Sequence, residues 1–125
     1  MRFGVGAGAP PGAAPAFTLD SAGVAGPSPV TALAAALAGC MAIDLVHILA
    51  RGRHTLRRVG ATLHADRADT EPRRFVSVTL HFSIAGSAPG GAVQRAIDLS
   101  RERYCSVWHS LRQDLPFQVT FELGD

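Results

Sequence analysis

The chain has 125 residues, which is the size of one domain and leaves little room for a second. With 47% hydrophobic and only 18% charged residues, it is apolar for its length, and we expect part of that surface to face a partner subunit. The net charge is +2 and all 12 basic residues are scattered arginines. A nucleic acid partner is therefore not expected, because it would favour a basic stripe with interleaved aromatics.

The N-terminal segment predicts two short strands. The stretches "RFGV" and "AFTLD" resemble short strands. They are separated by residues rich in Gly, Pro and Ala, which predict a turn. The same Gly and Pro residues interrupt any apolar run, so no signal peptide is expected and we predict a cytoplasmic protein.

A long helix is predicted over residues 29–51. Ser28 can cap its N-terminus, Pro29 suits the first helical position, and Gly52 provides a stop. The segment is long enough to raise the question of a membrane span. Asp44 and His47 interrupt its apolar surface, however, so we predict a core helix and no membrane association.

The second half of the chain predicts a mixture of strands and helices. Residues 55–67 and 73–86 alternate between polar and apolar side chains on either side of a turn, which predicts a β-hairpin. A helix is predicted from residue 88 to 104, a further helical turn from 105, and a closing strand over 116–123. The predicted order is β-β-α-β-β-α-α-β, an α+β fold in a single domain over residues 1–125.

Cys40 lies where one stripe of the predicted long helix changes from apolar to polar side chains. Leu37, Cys40, Asp44 and His47 follow one another at spacings of three or four residues and so share a stripe. A lone cysteine in an alanine-rich helix is most simply a small buried apolar side chain. Asp44 also disfavours a neighbouring thiolate, and we expect Asp44 and His47 to be structural or to shape a cleft.

Cys105 lies at the junction of two predicted helical segments, downstream of Arg101 and Arg103. The positive end of a helix and nearby guanidinium groups both favour a thiolate. These features predict that Cys105 is the more acidic of the two thiols. In a reducing compartment, a pair of cysteines is more often catalytic or redox-active than a structural disulfide.

A metal or cofactor site is not expected from the residue spacings. There is no CxxC motif, no phosphate-binding glycine loop, and no pair of histidines at the spacing of zinc ligands. The histidines are assigned surface or core roles: His47, His54, His64, His81 and His109.

Two segments resemble the OsmC/Ohr family, the osmotically inducible and organic hydroperoxide resistance proteins. "GPSPVTALAAALAGCMAIDLVHILARGR" is similar to the central helix of that family, and "AIDLSRERYCSVWHSL" to its second cysteine segment, in particular in the OsmC-like branch. The resemblance extends over residues 17–123. It implies a two-layer fold of antiparallel sheets around long central helices, in an intertwined homodimer.

The resemblance also implies a function, thiol peroxidase chemistry. Cys40 would attack an organic hydroperoxide or hydrogen peroxide and become a sulfenic acid. Cys105 would then form a disulfide with it, and an external dithiol would reduce that disulfide. This sequence departs from the better known peroxidases at two points: the helix begins Pro29-Val30-Thr31, with no Glu, and the N-terminal strand region that carries their arginine is short.

Two functions therefore remain open. One is a slow cysteine-based peroxidase whose Cys40 lacks an evident activating cation. The other is a non-catalytic OsmC-like dimer that binds a small apolar ligand or acts as a redox sensor.

Overall fold

The computed structural model describes residues 1–5 and 17–124. These fall in two compact units, residues 1–5 with 17–35, and residues 36–124. In the first unit, strand β1 (Arg2–Val5) pairs antiparallel with strand β2 (Phe17–Asp20). Both strands agree with the sequence prediction, whereas the predicted turn between them lies outside the described residues.

Asp20 organises the loop that follows β2. Its buried carboxylate accepts hydrogen bonds from the amides of Ala22, Val24 and Ala25 at 3.0, 3.2 and 2.9 Å. The bond from Ala25, followed by that from Ala22, holds the pKa of Asp20 below its usual range. The Arg2 Nε also donates to this carboxylate, at 3.3 Å.

Helix α1 (Pro29–Arg51) has the predicted bounds. Ser28 caps the helix, because the Ser28 Oγ accepts a hydrogen bond from the Thr31 amide at 3.2 Å. At the other end, the amide of His54 bonds the carbonyl of Leu49 at 3.0 Å in a Schellman-type arrangement. The left-handed residue of this cap is Arg53, with φ 64°, rather than the expected Gly52.

The second unit contains a three-stranded sheet in the order β3-β4-β5. Strands β3 (Leu56–Arg67) and β4 (Phe75–Gly86) form the predicted antiparallel hairpin. Strand β5 (Phe117–Gly124) pairs with β4 in parallel. The expectation of antiparallel pairing is wrong for β5, because the helices between β4 and β5 return the chain to the starting end of β4.

Those helices follow one another closely. Helix α2 (Gly90–Leu99) continues into a π-helical turn (Ser100–Tyr104), Cys105 follows in an extended conformation, and the short helix α3 (Ser106–His109) begins directly after it. The sequence predicted both helical segments but not the π-helical turn between them. The α+β fold class is confirmed.

The core of the second unit lies between one face of α1, the inner face of β4, and α2. Side chains four residues apart on α1 are buried together with alternate residues of β4 and one stripe of α2: Leu37, Met41, Leu45, Leu49, Val78, Leu80, Phe82, Ile84, Val93, Ala96 and Ile97. By length and composition α1 could cross a membrane. Its buried leucine and methionine face is that of a core helix, so its apolarity does not by itself indicate a membrane protein.

Candidate functional site

Three potentially reactive side chains meet beside α1. The Sγ of Cys40, a carboxylate oxygen of Asp44 and the Sγ of Cys105 all lie within 4.8 Å of one another. Cys40 and Asp44 are four residues apart on α1 and therefore share a face. We call these three residues the thiol cluster. The helix periodicity predicted the Cys40–Asp44 pair, and the fold adds Cys105 from the distant α2–α3 segment.

The π-helical turn sets the position of Cys105. The amide of Cys105 donates to the Ser100 carbonyl at 2.7 Å, which closes the wide turn. Cys105 then leaves the helical conformation, with φ −72° and ψ 98°, and caps α3. Its Sγ accepts the amide of Trp108 at 3.4 Å. The thiol is thus held on one side by the turn and on the other by α3.

Ser100 fixes the orientation of Asp44. The fully buried Ser100 Oγ donates to Asp44 Oδ2 at 2.7 Å. No role was predicted for Ser100 from the sequence. Its position could have indicated one, because the Ser100 hydroxyl shares a helical face with the apolar Val93 and Ile97. A polar group buried on such a face requires a hydrogen-bond partner. That partner is a carboxylate of the thiol cluster.

The environment of Cys105 disfavours its thiolate. Burial, reinforced by the neighbouring Cys40 thiol and the Asp44 carboxylate, raises the pKa of Cys105 to about 11, and the Trp108 amide offsets this only in part. The expected lowering of the Cys105 pKa is therefore wrong, since its pKa is raised. The helix-end effect on which it relied is present, but desolvation is larger.

The arginines proposed as activating cations have other partners. The Arg101 guanidinium lies over the rings of Trp108 and Phe117, 5.4 and 5.0 Å from their centroids. Arg103 lies 5.7 Å from the ring of Tyr104. Both contacts are cation–π interactions, which engage each guanidinium with an aromatic ring.

Alkylation of the reduced, native protein tests whether Cys105 is less reactive than Cys40. With a pKa of about 11, about one Cys105 side chain in a thousand is a thiolate at pH 8. Cys105 is also fully buried, whereas Cys40 is half-buried. We expect iodoacetamide to modify Cys105 at least about tenfold more slowly than Cys40. Peptide mass spectrometry measures both rates, and equal rates in folded protein would contradict the assigned environment.

Two shallow grooves flank the exposed side of α1. One, of about 230 Å³, is lined by Asp44, His47, Ile48, Arg51 and Tyr104, and so opens beside the thiol cluster. The other, of about 240 Å³, is predominantly apolar and is lined by Ala42, Ile43, Val46, His47 and Val59. His47 lines both, which agrees with its expected role in shaping a cleft.

Comparison with known protein families identifies this architecture. The family model for OsmC-like protein matches residues 20–120. The chain belongs to the OsmC-like family. This OsmC-like chain is also 38% identical over 98 residues to Protein YhfA of Escherichia coli strain K12, a match that covers 78% of the chain and 73% of YhfA.

Solved structures share the fold of this OsmC-like chain. A hypothetical protein from Aquifex aeolicus VF5 superposes with a TM-score of 0.80 at 22% identity, over 86% of this chain and 80% of that one. An organic hydroperoxide resistance protein OsmC from Legionella pneumophila superposes with a TM-score of 0.64 at 19% identity, over 79% and 72% of the two chains. At these identities the likeness establishes the fold.

Proposed function

We propose that this protein is a cysteine-based peroxidase that reduces organic hydroperoxides or hydrogen peroxide. The observation that carries the proposal is the meeting of two free thiols from separate elements, with Cys40 Sγ and Cys105 Sγ within 4.8 Å of each other. A sulfenic acid needs a second thiol at such a distance to be resolved reversibly. Membership of a family that includes hydroperoxide resistance proteins supports a peroxide substrate.

In the first step, Cys40 is the nucleophile. Its thiolate attacks the outer oxygen of the peroxide, a sulfur–oxygen bond forms, and the oxygen–oxygen bond breaks. The leaving alkoxide, or hydroxide when the substrate is hydrogen peroxide, takes up a proton and departs as an alcohol or as water, so the peroxide is reduced by two electrons and Cys40 becomes a sulfenic acid. Cys40 suits this step because it is half-buried and therefore more accessible to a substrate than the fully buried Cys105.

In the second step, Cys105 resolves the sulfenic acid. The Cys105 sulfur attacks the Cys40 sulfur, hydroxide leaves, and the Cys105 proton passes to it, so that water and a disulfide are the products. The pKa of Cys105, raised to about 11 mainly by burial, keeps this thiol protonated beforehand and keeps it from competing as the nucleophile. The sulfurs must close from 4.8 Å or less to the length of a disulfide bond, about 2.05 Å.

An external dithiol is proposed to complete the cycle. It attacks the Cys40–Cys105 disulfide and is itself oxidised to a disulfide, which returns both cysteines to thiols. Such a cycle requires a compartment that keeps dithiols reduced, and a cytoplasmic location fits that requirement.

The protein is further proposed to act as a homodimer that covers the exposed face of α1. Ile43 and Val46 on that helix are 58% and 41% exposed, which is unusual for large aliphatic side chains in a core helix. We expect light scattering at micromolar concentration to give twice the mass of the chain. Replacing Ile43 by Arg is expected to shift the protein to a monomer, whereas Arg at Gln94, an exposed position on α2, should not. A stable wild-type monomer would contradict the dimer.

A second function is favoured by the apolar groove between α1 and β3. Its lining of Ala42, Ile43, Val46 and Val59 suits a small apolar ligand, so the protein could bind such a ligand while its thiols serve as a redox sensor or have no role. Native mass spectrometry of the purified protein distinguishes the alternatives. A retained small molecule on a protein whose thiols do not react with peroxide would favour the binding function.

The peroxidase is tested by mass spectrometry of the reduced protein before and after one equivalent of cumene hydroperoxide. The expected product is two mass units lighter, and its digest contains a peptide pair joined through Cys40 and Cys105. Unchanged free thiols after prolonged exposure would contradict the proposal. A sulfinic acid on Cys40 without any disulfide would contradict the resolving role of Cys105.

A further inference from the structure

We propose that the thiol cluster also binds a thiophilic divalent cation, of which Zn²⁺ is the representative. Two sulfur ligands and one carboxylate ligand, from Cys40, Cys105 and Asp44, converge within 4.8 Å. This Cys₂Asp set is drawn from the ligand types that zinc and its heavier analogue cadmium use in proteins. The sequence spacings gave no sign of it, because the ligands come from distant segments.

The distances fit tetrahedral coordination. Zinc binds sulfur at about 2.3 Å and carboxylate oxygen at about 2.0–2.2 Å, so ligand atoms around one ion lie roughly 3.5–3.8 Å apart. The ligand atoms here are already within 4.8 Å of one another. Small side-chain rotations therefore suffice, and no backbone element has to move.

Hydrogen bonds from neighbouring groups orient the ligand side chains, as hydrogen bonds to metal ligands do in established metal sites. Ser100 Oγ fixes the Asp44 carboxylate by donating to Oδ2, and the remaining lone pairs of the carboxylate are available to an ion. The Trp108 amide donates to the Cys105 sulfur at 3.4 Å and can continue to do so when that sulfur is a metal-bound thiolate. Such outer-shell partners commonly change metal affinity by about 10- to 100-fold.

Charge and access also fit a divalent cation. Two thiolates and a carboxylate supply three negative charges to an ion of charge +2, and the Ser100 hydroxyl and Trp108 amide disperse the remainder. Asp44 lines the groove of about 230 Å³ beside α1, which gives an ion an entry path and leaves a fourth coordination position open to solvent.

A bound metal ion would prevent oxidation of the thiol cluster. An ion that holds both sulfurs leaves neither free to attack a peroxide, so metal binding and oxidation of the cluster exclude each other. The inference does not rest on the proposed peroxidase, because the same ligands can bind an ion in a protein that never meets a peroxide.

Cadmium titration of the reduced, chelator-treated full chain tests the site without peroxide. Thiolate-to-cadmium charge-transfer absorption should saturate at one Cd²⁺ per chain. Cys40→Ser and Cys105→Ser should each weaken binding at least about 100-fold, and Asp44→Asn at least about tenfold. Asp98→Asn is the matched control, since Asp98 is an exposed helical aspartate bonded to Gln94 on α2, and it should bind as the wild type does.

Two results would overturn the inference. Wild-type protein that binds Cd²⁺ no more tightly than Cys40→Ser would show that the two sulfurs do not act together. Unchanged affinity in Asp44→Asn would show that the carboxylate is not a ligand. If Asp44→Asn fails to fold, as circular dichroism would reveal, Ser100→Ala takes its place: it removes the hydroxyl that orients the carboxylate and should lower affinity at least several-fold, and unchanged affinity would count against the site.

Discussion

Cys40→Ser is expected to abolish peroxide consumption, whereas Cys105→Ser should leave one turnover that stops at the Cys40 sulfenic acid. A serine hydroxyl is not ionised at neutral pH and cannot replace the attacking thiolate, so the first variant loses the reaction altogether. In the second variant the attack remains but the resolving sulfur, within 4.8 Å in the wild type, is gone. The sulfenic acid should then persist or oxidise further.

A sulfenic-acid-specific dione reagent and a stoichiometric peroxide assay measure both outcomes. Cys105→Ser should consume about one equivalent of peroxide before it stalls and should incorporate the reagent at Cys40, while the Cys40→Ser/Cys105→Ser double variant gives the background. Full multiple turnover in Cys105→Ser would mean that the external dithiol reduces the sulfenic acid directly. Residual turnover in Cys40→Ser would mean that Cys105 is itself a nucleophile, against its burial and its raised pKa.

Local sequence patterns were sufficient for the elements that carry the site. Ser28, Pro29 and the alanine-rich run define α1 because capping and helix propensity act over a few residues. Alternation between polar and apolar side chains predicted β3 and β4 in the same way. The parallel pairing of β5 could not be predicted in this way, since it depends on how far α2, the π-helical turn and α3 carry the chain.

The chemistry of the thiol cluster depends on contacts that cannot be predicted from the spacing of residues along the sequence. Arg101 precedes Cys105 by four residues, yet its guanidinium lies over Trp108 and Phe117. The widened turn at Ser100–Tyr104 changes the direction of every side chain after it, so a regular helical wheel misplaces them. Burial of Cys105 in the core then outweighed the helix-end effect that the sequence made visible.

The peroxidase rate is expected to be low at pH 7 and to rise with pH, because a thiolate and not a thiol attacks the peroxide. Three arginines have other partners: Arg2 bonds Asp20, and Arg101 and Arg103 lie over aromatic rings. Asp44, within 4.8 Å of the Cys40 sulfur, adds a repulsive charge. Stopped-flow consumption of cumene hydroperoxide between pH 6 and 9 measures this profile.

The profile also separates the two cysteines. Because the pKa of Cys105 is raised to about 11, its thiolate remains scarce across this range, so a rise in rate between pH 6 and 9 is not due to Cys105. Asp44→Asn removes a carboxylate charge that lies beside the attacking sulfur and should raise the rate at pH 7, while Asp98→Asn should leave the rate unchanged. A fast rate independent of pH would show that a cation does activate Cys40, with Arg2, Arg101 and Arg103 the first arginines to replace. No consumption at any pH would favour the apolar-ligand function, because the two thiols would then be adjacent without being reactive.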